Sequence, residues 1–232
     1  MSLYVIHTSP KRIKFVNEYM VPCFRRYGIE NIVVWNDEEM EGQLTAWTKC
    51  AVWILEQGYK GAWHLEDDVI PCKKFKEISE KLESENRIVQ GFITENRFFD
   101  FKGKTGIVSV HDLPYGMQCM YIPELYTLGF VYFMKRFVEK GLYRKGQYER
   151  GTLYSDDVLR GLLRRECKKD FVNCLDDCMV EHIDYLIGGR SVPKGAKEGN
   201  RTARKFDNYE EVERLKEWVR ETDYNGKTKN RD

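Results

Sequence analysis

Three consecutive carboxylates, Glu66, Asp67 and Asp68, stand in the stretch GAWHLEDDVIP at residues 61–71. An apolar run leads into them, and Val69, Ile70 and Pro71 follow. Side by side they repel, and a buried carboxylate is costly unless a positive charge comes with it. A divalent cation, a basic side chain or water must supply that compensation. Two further groups offer matching chemistry. Asp156 and Asp157 follow Ser155 at the start of a helical pattern, where an acid can take a proton from an incoming hydroxyl. Val180-Glu181-His182-Ile183 sets an imidazole near a strand end, ahead of a base-rich segment with Arg190, Lys194, Lys197, Arg201, Arg204 and Lys205. Carboxylate and imidazole together suit manganese or a similar divalent ion. Such an ion bridges the oxygens of a diphosphate and offsets the charge that builds as it departs. Lysines and arginines on a Gly-rich segment clamp the same group. Alone, each group has a plainer reading: a solvated turn, an N-cap, a core or surface histidine, a solvated loop. Their order along the chain is what links them.

The elements that must hold these groups follow from periodicity. LYVIH (3–7), NIVVW (31–35) and GAWHL (61–65) read as strands, with a fourth around Arg87–Phe92. Pro10 to Tyr27, Gln43 to Gln57 and Lys73 to Glu83 read as helices, the first capped by Ser9. Strands alternating with helices, the strands nearly continuous in apolar residues, predict an α/β fold with a mostly parallel sheet. The acids then sit just past the carboxyl end of the third strand, the edge on which open α/β sheets bind ligands. Residues 93–133 read as short strand-like pieces between Gly103, Gly106, Gly116 and Gly129, with Met117 to Ile122 and Gly129 to Met134 the clearest apolar runs. Helices are predicted over Lys135–Lys140, from Ser155 or Asp156 to about Arg165, and from Tyr209 to about Thr222, before a polar end that should fray.

The 232 residues suffice for one sizeable core. Lys and Arg number 38 against 37 Asp and Glu, so no charge excess advertises nucleic acid or an acidic membrane. Hydrophobic content of 42% and aromatic content of 13% point to a packed globule rather than disorder. No long apolar run and no leader pattern are present, which predicts a cytoplasmic protein without integral membrane contact. The seven cysteines form an odd set without a CxxC pair. Cys167, Cys174, Cys178 and His182 allow a zinc site, but reduced, buried thiols are the preferred reading.

HLEDDVIP (64–71), YGMQCMYIP (115–123), YSDDVL (154–159) and VEHIDYLIGG (180–189) with NRTARKF (200–206) together resemble the GT-A glycosyltransferases that use nucleotide-sugar donors. The likeness is strongest to small bacterial and bacteriophage members and to lipooligosaccharide-type enzymes with an LEDDV signature, and it spans roughly residues 3 to 206. It implies a Rossmann-like, mostly parallel central sheet with helices on both faces and a smaller mixed β portion on the acceptor side. It also implies one catalytic domain over 1–206, with a nucleotide-binding half (1–95), an acceptor- and metal-completing half (96–206), and a C-terminal helix and tail (207–232). Carried over, Asp68 is the direct ligand of Mn2+ or Mg2+ and His182 completes the metal shell. Glu66 and Asp67 face the ribose or donor sugar, Glu66 departing from the literal Asp-x-Asp form. Asp157 takes the place of the catalytic base of inverting members, and Asp156 that of the neighbour touching the acceptor. His7, Thr8 and Ser9 with Arg12 fall near the nucleotide base, Gly116 and Gln118 near the donor sugar, and Lys194, Arg201 and Arg204 at the departing diphosphate. The implied partners are a nucleotide sugar, with UDP as nucleotide, and a saccharide or hydroxymethylated DNA base as acceptor. A nucleotidyltransferase needs similar parts but normally shows a Gly-rich basic loop after the first strand; HTSPKRIKF has bases and no glycine. A non-catalytic nucleotide-sugar-binding domain is the other alternative.

Overall fold

The computed structural model of the chain describes residues 2–94, 105–109, 117–139, 162–163, 171–188 and 202–224. Strand β1 (Tyr4–Thr8) leads into a helical run made of α1 (Ile13–Phe15), a π-helical stretch (Val16–Met20) and α2 (Val21–Arg26). There follow β2 (Ile32–Asn36), α3 (Gln43–Glu56), β3 (Gly61–Glu66), β4 (Val69–Pro71), α4 (Phe75–Glu83), β5 (Val89–Gln90) and β6 (Gly106–Ser109). The remainder comprises β7 (Cys119–Pro123), α5 (Glu124–Glu139), β8 (Phe171–Cys174), β9 (Val180–His182), α6 (Asp184–Ile187) and α7 (Tyr209–Thr222).

Seven strands build a central sheet in the order β2-β1-β3-β7-β5-β8-β6. The strands β2, β1 and β3 are mutually parallel, and β7 runs against its neighbours β3 and β5. Strand β8 is parallel to β5, and β6 lies antiparallel at the edge. The sheet is thus mostly parallel, as predicted. Strand alternation divides the core between its faces. Tyr4, Ile6, Trp63 and Leu65 bury one face against Phe15, Met20, Phe24, Phe75 and Leu215, which come from the first helical run, α4 and α7. Leu3, Val5 and Ala62 bury the other against Cys50 and Ile54 of α3. Helix α5 joins that second side, where Phe130 and Met134 pack with Leu44 and Trp47.

Three local predictions differ from what forms. The first helix begins at Ile13 rather than Pro10, and Ser9 supports it through its carbonyl, which accepts from the N–H groups of Arg12 (2.9 Å) and Ile13 (3.1 Å). Strand β5 is only Val89–Gln90, shorter than 87–92. Gly129 to Met134 is not strand-like but the middle of α5, which starts at Glu124, far ahead of Lys135. Thr127, Phe130 and Met134 are buried while Tyr132 is exposed, the i, i+3, i+7 face of a helix.

Between β3 and β4 lie only Asp67 and Asp68. After them the chain leaves the central sheet, and β4 pairs antiparallel with β9 in a separate two-stranded sheet. The register sets Val69 opposite His182 and Pro71 opposite Val180. The Ile183 N–H then donates to the Asp68 carbonyl at 2.8 Å. That short ribbon carries His182 to the acidic turn.

Candidate metal centre

The strand period of two decides where each acid points. Trp63 and Leu65 face the helical run, so His64 and Glu66 fall on the α3 side, and Asp67 and Asp68 form the turn beyond. Thr8, the last residue of β1, donates its hydroxyl to Asp67 Oδ2 at 2.8 Å. Arg12 Nη1 lies 2.8 Å from Asp67 Oδ1 and 2.8 Å from Asp68 Oδ2. The acids therefore find one positive partner in a side chain at the start of the first helical run. Expected at the nucleotide, Thr8 and Arg12 both engage the acidic turn.

Asp68 Oδ2 also faces His182 Nε2 at 3.3 Å, and His182 Nδ1 faces Asp184 Oδ1 at 3.3 Å. Asp68, His182 and Asp184 are all buried. Glu66, Asp68 and His182 each offer a ligand atom, and the three atoms lie within 4.8 Å of one another. Among the described residues, neither ring nitrogen of His182 makes a hydrogen bond, nor does Asp68 Oδ1. Two ligands held at about 2.1 Å by one octahedral ion stand roughly 3 Å apart. The Asp68–His182 separation is close to that spacing, and two carboxylates with one imidazole suit Mn2+ or Mg2+. The residues present fit such an ion.

Electrostatics differ from one acid to the next. Burial alone would raise Asp68, but His182 and Arg12 outweigh it and hold the carboxyl below its ordinary value. Burial likewise disfavours charge on His182, yet Asp68, then Asp184 and Glu66, raise its pKa. At Asp67 burial prevails over Arg12, and that carboxyl is raised. Burial pushes Glu181, next to the histidine, up to about 7, against the pull of two backbone donors. Those donors are the N–H groups of Ala203 (2.9 Å) and His182 (3.0 Å).

Gln118 abuts the same strand end, its carbonyl accepting the Glu66 N–H at 3.2 Å. Arg204 lies in a segment held to Ile93 by a 2.9 Å backbone bond, and its guanidinium pairs with Asp176. Gly116, Asp156, Asp157, Lys194 and Arg201 lie outside the described residues. Two groups at the centre were not singled out from the sequence, Asp184 and Glu181. The signal for Asp184 was present in VEHIDYLIGG, as an acid two places beyond the histidine. Cys178 does not join His182: its thiol bonds the Ile93 backbone, while Cys174 is a buried, free thiol in the core.

No protein-family model matches the sequence, and no curated protein matches it. Solved structures align with the chain only at low similarity. The A197 protein from STIV superposes with a TM-score of 0.41 at 9% identity, over 78% of this chain and 85% of that one. A protein assigned as a glucose-1-phosphate thymidylyltransferase from Bacillus anthracis, in complex with a sucrose, superposes with a TM-score of 0.39 at 11% identity, over 74% of this chain and 66% of that one. Among the described residues no helix is long and apolar enough to cross a membrane.

Proposed function

We propose that the chain is a metal-dependent glycosyltransferase of GT-A type, moving a sugar from a nucleotide-sugar donor to a hydroxyl acceptor. The observation that carries this reading is the meeting of Glu66, at the end of β3, and Asp68, in the turn after it, with His182 from β9 at the carboxyl edge of the parallel strands. The two-stranded β4–β9 sheet beside a mostly parallel one supports the same form, as a single domain over 1–206. A UDP-sugar is the donor and Mn2+ or Mg2+ the cofactor that the resemblance in HLEDDVIP and VEHIDYLIGG suggests. When bound, the ion supplies Lewis-acid stabilisation to a departing diphosphate.

The chain's own residues supply the rest. Asp184 orients the His182 ring, in the manner of the carboxylate partners of metal-binding histidines. Arg12, whose guanidinium suits phosphate oxygens, can exchange the acids for the diphosphate. Gly116 and Gln118 line the donor sugar, and Gln118 is already in contact with the Glu66 backbone. Asp157 accepts the proton of the acceptor hydroxyl as that oxygen attacks the anomeric carbon, with inversion, and Asp156 positions the acceptor. Lys194, Arg201 and Arg204 complete the clamp, Arg204 after releasing Asp176. A saccharide or a hydroxymethylated DNA base fits as acceptor. The six cysteines among the described residues, all free and buried, suit a reducing, cytoplasmic setting.

The assay is direct. The protein is incubated with manganese and a panel of nucleotide sugars, and release of nucleoside diphosphate is followed. Metal-dependent release, lost in Asp68→Asn, is expected. Pyrophosphate from a nucleoside triphosphate and a sugar 1-phosphate, with no diphosphate from any donor, would move the chain to the nucleotidyltransferases. That outcome is disfavoured by the stretch after β1, where Ser9, Pro10, Lys11 and Arg12 offer no glycine and Arg12 is tied to the acids. Donor binding without release of either product would leave a binding domain.

A further inference from the structure

A second set of donors lies on the α3 side of β1 and β3. His7 of β1, His64 of β3 and Cys50 of α3 each present a ligand atom, and the three atoms lie within 4.8 Å of one another. His64 and Cys50 are buried, at 1% and 0% exposure. His7 Nε2 and His64 Nδ1 stand 2.9 Å apart. Trp47 stacks on both imidazoles, with ring centroids 4.3 Å from His7 and 4.2 Å from His64. Among the described residues this leaves His7 Nδ1 and His64 Nε2 buried without hydrogen-bond partners. An unmet buried polar atom is destabilising, a cost that apolar residues at the same places would avoid.

We propose that His7, Cys50 and His64 form a site for a thiophilic closed-shell cation, with copper(I) as its best match. One thiolate and two imidazoles are the soft donor set that selects Cu(I) or Zn(II) over Mn(II) and Mg(II). Charge and number separate the first two. A single thiolate brings Cu(I) to a neutral centre, whereas Zn(II) keeps one positive charge in an apolar enclosure that penalises it. Structural zinc also takes four protein ligands, and among the described residues this group has three. On binding, Cys50 gives its thiol proton to solvent, and one nitrogen of each imidazole bonds the metal. His7 adjoins Thr8, and His64 stands two residues before Glu66. An ion here would pin β1, β3 and α3 together behind the acidic turn without belonging to it.

The test uses the full chain, kept anaerobic, as wild type, Cys50→Ala, His64→Gln and Asp68→Asn. Each is titrated with Cu(I) held by a chromophoric chelator and, separately, with Co(II) as a stand-in for zinc. Wild type and Asp68→Asn should remove one more equivalent of Cu(I) from the chelator than Cys50→Ala or His64→Gln. That uptake should bring a thiolate-to-metal absorption and quenched tryptophan emission. A Cys50-dependent charge-transfer band with Co(II) instead would uphold the site and assign it to a zinc-like ion. Equal uptake and equal spectra in wild type and in whichever of the two ligand variants folds, for both metals, would overturn the site. Asp68→Asn keeps this outcome separate from that of the manganese centre, which has no thiolate.

Discussion

Asp67 and Asp68 are neighbours of the same chemical type with opposite fates. Burial wins at Asp67 and raises its carboxyl, while His182 and Arg12 keep Asp68 ionised. The two should therefore respond differently to loss of charge. Asp68→Asn should abolish manganese binding and metal-dependent turnover while leaving a folded protein, read by calorimetric titration beside circular dichroism. Asp67→Asn should change manganese affinity only a few-fold in the same titration. Asp184→Asn should weaken manganese by about 10–100-fold, the usual effect of removing a carboxylate behind a metal-binding histidine. Asp68 and His182 were legible as candidates from the acid triplet, the later histidine and their order along the chain, and the resemblance paired them. Arg12 could not be read as their partner, since it lies more than fifty residues away and any of the neighbouring bases could have served. Its selection comes from the helix starting at Ile13, which fixes where position 12 lies.

At the scale of elements, the centre depends on how the β4–β9 ribbon is seated. Met179, just before β9, donates to the Gly91 carbonyl at 2.8 Å, and the Gly91 N–H donates to the Cys119 carbonyl at 2.9 Å. A Cβ on Gly91 would lie 2.8 Å from Cys119 Sγ and 3.2 Å from Met179 Sδ. Gly91→Ala should cost about 1–3 kcal/mol through overpacking. By displacing Met179 it should also weaken manganese binding, although position 91 touches no ligand; denaturation and metal titration on one sample check both. Helix α7 is anchored by a fully buried Glu211, which accepts from Tyr19 at 2.7 Å and Tyr27 at 3.2 Å and pairs with Arg26. Burial would raise its carboxyl, but Tyr19 and Arg26 hold it below the ordinary 4.5. A depressed folded-state pKa stabilises the protein above the unfolded value, and the gain is lost as pH falls through the folded value. Glu211→Gln should thus destabilise by about 2 kcal/mol at neutral pH, the scale of a charged hydrogen bond. Urea titrations should show that difference shrinking in acid. The span of α7 was legible from its amphipathic period, but Glu211 reads there as one more first-turn acid. The reverse happened in α5: the uninterrupted apolar run from Gly129 to Met134 hides its helical period until Thr127 is counted.

For the molecule as a whole, the α/β class and the carboxyl-edge placement of the acids could be inferred from local alternation of strands and helices. The insertion of β7 between β3 and β5 could not, because it is a pairing across distant segments that no local pattern encodes. The same remoteness makes the metal centre a property of the complete fold, since Asp68 and His182 meet only when β4 and β9 have paired. An ion that binds only the folded chain raises its stability by mass action. Manganese at about 100 times its Kd should add about 2.7 kcal/mol, seen as a higher melting temperature in wild type and none in Asp68→Asn. Arg12 gives this linkage a further consequence. A tethered guanidinium is a counter-ion that never diffuses away, so chelation should leave the acids neutralised rather than in mutual repulsion. Any incoming dication must compete with that resident charge, and bare manganese should bind loosely. On the proposed function, a diphosphate that drew Arg12 onto its own oxygens would remove the competitor, so donor and metal should be cooperative guests that each hold the door for the other.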